Sequence, residues 1–469
     1  MGVWQKIRKY VGWALAAYLI VFALGVFVPP LHHKSVGEGY KAYAQNRSST
    51  LAPAGSERIL NIEDNTEALV WRLRAIEAAQ NEIILSTFDF DSDTSGKIIM
   101  AALQNKARQG VKVQVIMDGV NGLLSWCTGK EMRAFAGGEN IQVMFYNPIN
   151  LLKPWRLPYR LHDKYLMVDD SLYILGGRNT NDLFLGDYSK KPNHDRDLLV
   201  YKQDAAVHTS QNDLKNYFEV VWQLPENQLK ASRGKKQEAV RGELQKLYDE
   251  LPQIYPQAFT PVNWQQETFA ANSVTLLANP VEAKPKEPWV WYSLQQMVKP
   301  AQEVTIQTPY IVCGRDMYRE LGQIAQGTNR LKIITNAVAN GANPFGCTDY
   351  LNNKGKISNT GAEIYELYSE IFSHTKTIVA DNGMSFVGSY NLDMRSTYLN
   401  TELMLAVDSP ELNSRLQAAV TVLEGHSNQV LPDGTETPGE NCVPVKMSLG
   451  KKILYGLMRL LTLPLRYLI

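Results

Sequence analysis

The sequence predicts an α/β protein of two similar lobes, each a mixed sheet flanked by helices, behind an N-terminal membrane anchor. Three observations carry that reading. Helical and strand periodicities alternate through most of the chain, the pattern of helices layered on a largely parallel or mixed sheet. The stretch "HDKYLMVDDSLYILGGRN", residues 162–179, returns without a gap as "HTKTIVADNGMSFVGSYN", residues 374–391, at a constant offset of 212. Such self-similarity marks a duplicated unit. Residues 11–28, "VGWALAAYLIVFALGVFV", carry no charge.

The anchor comes first. Lys6, Arg8 and Lys9 precede the apolar run, and Pro29 and Pro30 close it. Eighteen helical residues reach about 27 Å, close to the thickness of a hydrocarbon core. The A-x-A-like site Ala42-Tyr43-Ala44 lies far beyond the run, which favours a retained anchor over a cleaved signal peptide. The early basic residues favour a cytoplasmic N-terminus, partly offset by Lys34, Lys41 and Arg47. The expected topology is a single-pass anchor (residues 1–30) in a cytoplasmic (inner) membrane, a polar linker (31–60), and the body on the outer face.

The first lobe is expected over 61–224. "NTEALVWRLRAIEAAQN" has helical spacing with Asn65 or Thr66 as cap, "EIILSTFDF" reads as a strand, "TSGKIIMAALQNKARQG" as a helix closed by Gly110, and "VKVQVIMDG" as another strand. A polar segment, 225–273, contains "KASRGKKQEAVRGELQKLYDEL" and reads as a solvated connecting helix with flanking loops. The second lobe, 274–428, repeats the order with "WVWYSLQQMVKPAQ", "EVTIQTPYIV", "GRDMYRELGQIAQ" and "LKIITNAV". Finally, 445–469 forms an amphipathic helix. Ser448 caps it, Leu449, Ile453, Leu457, Leu460 and Leu461 share one face, and Lys452, Tyr455 and Arg459 share another. A basic amphipathic helix suits an anionic membrane surface.

Composition narrows the function. With 48 Lys and Arg against 47 Asp and Glu, the whole-chain field offers little attraction to nucleic acid, and only a local basic groove stays open. Cys127, Cys313, Cys347 and Cys442 are too scattered for a disulfide scaffold or a C-x-x-C metal site. No cluster with metal-ligand spacing emerges.

The duplicated segment carries the chemistry. Strand alternation puts His162 and Lys164 on one face and Asp169 on the other. H-x-K-x4-D followed by G-[GS]-x-N, present twice, resembles the phospholipase D superfamily, over residues of about 60 to 425. "GGRNTNDLFLG", "TPYIV" and "NLDMRSTYLNTE" are similar to the bacterial cardiolipin synthase group. The resemblance implies a duplicated phospholipase D-like fold whose two motifs meet at the lobe interface as one active site. It makes His162 the nucleophile, forming a phosphohistidine, and His374 the general acid and later base, with the reverse order left open. Lys164, Lys376, Asn179 and Asn391 would bind phosphate oxygens, with Ser389 an extra donor where the first copy has Gly177. Glu402 matches a family acidic position, and Asp197 in "HDRDLLVY" is taken as its first-copy counterpart; each would hold a histidine in one tautomer. Asp169 and Asp381 complete the catalytic motifs, but the strand face of Asp169, opposite His162, points to fixing the hairpin or the lobe interface. Asp118, Arg395, His32, His33 and His194 are expected to be structural.

Those residue types suit a phosphodiester. Substitution at phosphorus gathers negative charge on oxygen, which two ammonium groups and nearby donors stabilise. One neutral imidazole can attack while a second, protonated one supplies the departing alkoxide. No cofactor or metal is called for. The implied reaction is phosphatidyl transfer between phospholipids, such as two phosphatidylglycerols giving cardiolipin and glycerol at a bilayer. Hydrolysis to phosphatidic acid is the alternative, followed by a nuclease or a non-catalytic lipid-binding scaffold.

Overall fold

The central strands of each lobe are runs of Val, Ile and Leu buried on both faces, as a sheet covered by helices requires. In the computed structural model, which describes residues 3–46, 52–204 and 206–468, two nine-stranded mixed sheets follow the same plan. In the first, Glu82–Thr87, Lys112–Asp118 and Ile141–Tyr146 run parallel. The motif hairpin, Tyr165–Val168 and Leu172–Gly176, lies antiparallel beside Glu82–Thr87. In the second, Glu303–Gln307, Arg330–Asn336 and Glu363–Leu367 run parallel. Its hairpin, Thr377–Ala380 and Met384–Gly388, occupies the equivalent place. Asp64, rather than Asn65 or Thr66, caps the first helix of the body, accepting from the Thr66 and Glu67 amides.

Each lobe has its own core, and a third apolar cluster joins them. Ile84, Met167 and Leu198 of the first sheet share it with Val379, Val387 and Leu405 of the second. Each such side chain contributes about 1.5–3 kcal/mol when fully buried, so the two sheets are held face to face. This packing brings the starts of both motif hairpins to one boundary. Across it Asn193–His194 pairs in parallel with Phe372–Ser373.

The motif aspartates serve the hairpins. The Asp169 carboxylate accepts from the backbone N–H groups of Gln80, Asn81 and Glu82. Asp381 accepts from the Gln302 amide. Each ties its hairpin turn to the chain entering the neighbouring strand. Counting them with the catalytic residues is therefore corrected: neither is bonded to a motif histidine or lysine.

The segment 225–273 is more than a solvated connector. Gln228–Lys230 pairs with Ile141–Tyr146, and Phe269–Ala270 pairs with Glu57–Ile62, so it supplies both edges of the first sheet. Helix Lys235–Ile254 lies on Thr94–Arg108 and buries Val240, Leu244 and Leu251.

At the N-terminus, Val3–Phe27 is a 25-residue helix with no buried residue, long and apolar enough to cross a membrane. The Tyr18 hydroxyl donates to the Leu151 carbonyl. The linker beyond it packs on the body: His33 stacks on Tyr398, ring centroids 3.9 Å apart, and the Gly37 amide donates to Glu287. Arg47 lies outside the described residues.

The C-terminal helix, Leu449–Leu465, packs on helix Pro344–Ser358. Its charges are distributed otherwise than the sequence pattern implies. Lys451 donates to the carbonyls of Ala339 and Gly341, Arg459 to Asn352, and Arg466 to Asp349 and the Cys313 carbonyl. Three cations are thus engaged with the protein, while the leucine face looks outward.

Candidate active site

His162 and His374 line one cavity of about 370 Å³ between the lobes. Asn179, Asn391, Asp89, Tyr310 and Arg395 also face it. Each histidine stands just before the first strand of its hairpin, where the chain is extended but not yet paired in the sheet, so its ring can enter the boundary. Aromatic rings steady both: Phe88 lies edge-on to His162 at 5.2 Å and Phe184 edge-on to His374 at 5.0 Å.

The carboxylates that orient the histidines cross between lobes. His162 Nδ1 of the first lobe lies 2.9 and 3.0 Å from the two oxygens of Glu402 of the second. His374 Nδ1 of the second lobe lies 2.6 Å from Asp195 Oδ2 of the first. With Nδ1 committed in both rings, Nε2 is the nitrogen left for chemistry. Neither motif histidine finds its carboxylate within its own lobe.

Asp195 replaces Asp197 in that role. The strand register explains why: Gly176 pairs with Asp197, and Gly388 pairs with Met404. Glu402 sits two residues before Met404, so its counterpart sits two before Asp197. The loop leading to it is longer in the first lobe, which shifts the match away from the 212-residue offset. Asp197 instead meets Arg72 at 2.9 Å and Arg178 at 3.2 Å, fully buried under the first lobe's own helix.

Gly177 and Ser389 follow the same logic. A Cβ on Gly177 would lie 2.4 Å from Asp195 Oδ1, so the short carboxylate occupies the space a side chain would need. At the equivalent point the Ser389 hydroxyl donates to Glu402 Oε2 at 2.5 Å. Ser396 also donates to Glu402, at 2.7 Å. Ser389 is therefore bonded to the orienting carboxylate, where the resemblance implied a donor to phosphate.

Electrostatics separate the two halves. Burial, followed by the Lys164 and Lys376 charges, pushes His162 well below its ordinary range and keeps it neutral. Burial raises Glu402, while Lys164, Ser389 and Ser396 pull it back down. His374 is held at about 3 by burial and Lys376. Burial opposes ionisation of Asp195, but Lys376, His374 and Arg178 overcome it and hold the carboxyl far below the usual carboxylate range. Burial also lowers Lys164 to about 8 and Lys376 to about 7. These ammonium groups lie beneath the histidines, donating to the carbonyls of His162 and His374 respectively.

Asn179 and Asn391 keep the symmetry. Asn179 donates to Asp89 and Asn391 to the Tyr310 hydroxyl, and each has a buried amide oxygen without a hydrogen-bond partner. Asp89 is a cavity carboxyl with no sequence signal, pushed up to about 7 by burial and Asp91. Arg395, read as structural, does both jobs: it donates to the carbonyls of Leu468 and Pro158 and faces the cavity. The other residues read as structural stay so. Asp118 pairs with Arg160 at 2.9 Å and caps the helix that follows it, and His194 pairs with Glu63 at 3.1 Å.

A family profile described as "Cardiolipin synthase, PLD-like domain" matches residues 73–222 and 294–421, more than half the chain and both motif copies. The chain belongs to that family. Among its relatives, an uncharacterised protein of Helicobacter pylori is 27% identical over 427 residues, covering 82% of each chain. Cardiolipin synthase C of Escherichia coli is 23% identical, covering 75% of this chain and 81% of its own. A cardiolipin synthase of Clostridium perfringens is 28% identical, covering 73% of this chain and 65% of its own. Among solved structures, phosphatidylserine synthase of Haemophilus influenzae superposes with a TM-score of 0.63 over 92% of this chain and all of its own, at 16% identity. That likeness establishes the duplicated fold.

Proposed function

We propose that the protein is a membrane-bound phosphatidyltransferase of the cardiolipin synthase type. The observation that carries this reading is the crossed pair of histidine–carboxylate contacts around one cavity, with a buried lysine behind each ring. Family membership and relatives that bear the name cardiolipin synthase support the lipid substrate.

In this reading His162 Nε2 attacks the phosphorus of a phosphatidylglycerol-like donor. Its neutral form, with Nδ1–H held by Glu402, suits a nucleophile. As the N–P bond forms, the P–O bond to the head-group glycerol breaks, and His374 Nε2–H supplies the proton the alkoxide needs. Burial and Lys376 by themselves keep His374 neutral. The phosphodiester's own negative charge favours its protonation, and ionised Asp195 stabilises the resulting imidazolium. Lys164, Lys376 and the two asparagines stabilise the charge on the equatorial oxygens. A hydroxyl of a second phospholipid then loses its proton to His374 and displaces His162, giving cardiolipin. The N-terminal helix would hold the enzyme in a bacterial cytoplasmic membrane with its body on the outer side.

Incubation of the purified protein with head-group-labelled phosphatidylglycerol in vesicles tests the proposal. Cardiolipin and free glycerol support transfer. Phosphatidic acid as the sole lipid product would make the enzyme a phospholipase D, and no turnover in an intact membrane preparation would overturn both readings.

A further inference from the structure

The C-terminal helix is amphipathic: Lys451 and Arg459 bond to the body and Tyr455 is buried against it, while Lys452 stays exposed. Leu449, Leu457, Leu460 and Leu461 are 74%, 63%, 71% and 61% exposed. On the opposite side Tyr455 and Thr462 are buried, and Lys451, Arg459 and Arg466 are bonded to the body. A contiguous apolar face of this kind is a docking surface. Its leading feature is hydrocarbon rather than charge.

Two features identify what covers it. Residues Pro29–Leu31, which end the apolar N-terminal helix, contact Arg466–Leu468 at the end of the C-terminal helix. His33 and Tyr467 rings lie 5.9 Å apart at that junction. The candidate membrane span and the outward leucine face therefore converge. Beside Tyr18 of the span, Leu151, Leu152 and Trp155 are also exposed. A folded partner would need to match all these separate elements, whereas a lipid surface beside the span covers them together.

The C-terminal segment is bonded to the wall of the cavity at two points. Lys451 holds the carbonyls of Ala339 and Gly341, next to the cavity residues Ala342 and Asn343. Beyond the other end of the helix, the Leu468 carbonyl accepts from Arg395, which faces the cavity. We propose that the C-terminal helix is a membrane dock: its leucine side enters the acyl region of a lipid bilayer, and its inner side holds the mouth of the catalytic cavity at that surface. Phospholipid head groups then reach the two histidines without their acyl chains leaving the membrane.

The test places an environment-sensitive fluorophore at Leu457→Cys or Leu460→Cys, in the full-length protein carrying Cys127→Ser and Cys442→Ser, reconstituted in phosphatidylethanolamine–phosphatidylglycerol vesicles. Quenching by brominated acyl chains that high salt does not relieve is the expected result, with Val422→Cys, an exposed apolar position elsewhere, as the unquenched control. Emission matching that control would overturn the dock. So would a protected probe that bromine does not quench but protein dilution exposes, since a second copy would then cover the face. The activity arm rests on the phospholipid reading above; the depth arm does not, so the two fail separately. In that arm, Leu457→Glu with Leu460→Glu lowers turnover on vesicles by about tenfold and leaves turnover on a short-chain, monomeric phosphatidylglycerol unchanged. Equal loss on both substrates would refute positioning at the bilayer.

Discussion

The two lobes share a strand order, a hairpin and a histidine–lysine pair, yet the carboxylates they exchange are embedded differently. Glu402, which orients His162, sits fully buried in a net of hydroxyl and amide donors from Ser389, Ser396 and Asn400. Asp195, which orients His374, sits among cations, with Lys376 at 3.9 Å and a glycine where Ser389 stands in the other lobe. A carboxylate surrounded by neutral donors fixes a neutral imidazole in one tautomer. A carboxylate held strongly ionised favours an imidazolium beside it. Duplication thus supplies two histidines in mirrored places, and the difference between their partners is what the proposed mechanism uses to give them separate tasks.

The strongest way to break this comparison is to remove each histidine in turn. His162→Ala and His374→Ala are each expected to lower transfer by about 10⁴-fold or more. A phosphodiester with a p-nitrophenolate leaving group separates them, because that group departs without a proton. His374→Ala should still release a stoichiometric burst and accumulate a labelled enzyme, and His162→Ala should not. The opposite pattern would exchange the two roles.

The carboxylates come next. Asp195→Asn and Glu402→Gln should each cost about 10²–10³-fold in kcat. Asp197→Asn should leave kcat within about threefold and lower Tm, since Asp197 pairs with Arg72 and Arg178 in the interior. Kinetics and thermal melts on the three proteins decide it, and a silent Asp195→Asn beside an inactive Asp197→Asn would defeat the register argument.

A milder exchange tests the neighbouring position. Gly177→Ala must displace Asp195, and roughly a tenfold loss is expected. Ser389→Ala removes one hydrogen bond to Glu402 at a cost of about 1 kcal/mol, or fivefold. A larger effect from Ser389→Ala would mean its hydroxyl also meets the substrate.

The smallest effect is a proton count. Burial holds Lys376 at about 7 and Lys164 at about 8. A bound phosphate-like anion raises both, so at pH 8 tungstate binding should take up protons. Calorimetry in two buffers of different ionisation enthalpy measures this, and equal heats would show that the ammonium groups were fully charged beforehand.

Much of this was legible in the sequence because the repeat is gapless through the hairpins, where strand register allows no insertions. The two histidines, two lysines and two asparagines therefore fell out of a single alignment. Legibility stopped where loops differ in length: "HDRD" offers two acids, and only the pairing of Gly176 with Asp197 decides between them. Asp89 and Arg395 gave no signal because their role depends on a cavity formed by both lobes. The inward turn of Lys451, Arg459 and Arg466 was hidden for a related reason, since their acceptors, from Cys313 to Asn352, are about a hundred or more residues away. Helical periodicity identifies a leucine face without saying which side the body will take.

The crossed carboxylates also bear on ancestry. A single lobe that paired with a copy of itself would have two identical histidines, each oriented by its twin, and either could attack first. Joining the copies in one polypeptide frees the two carboxylates to diverge, one into a glutamate among hydroxyls and the other into an aspartate among cations. On the proposed mechanism the direction of the reaction through the site then rests on that difference, and restoring the symmetry should return a catalyst that hesitates between its two ends.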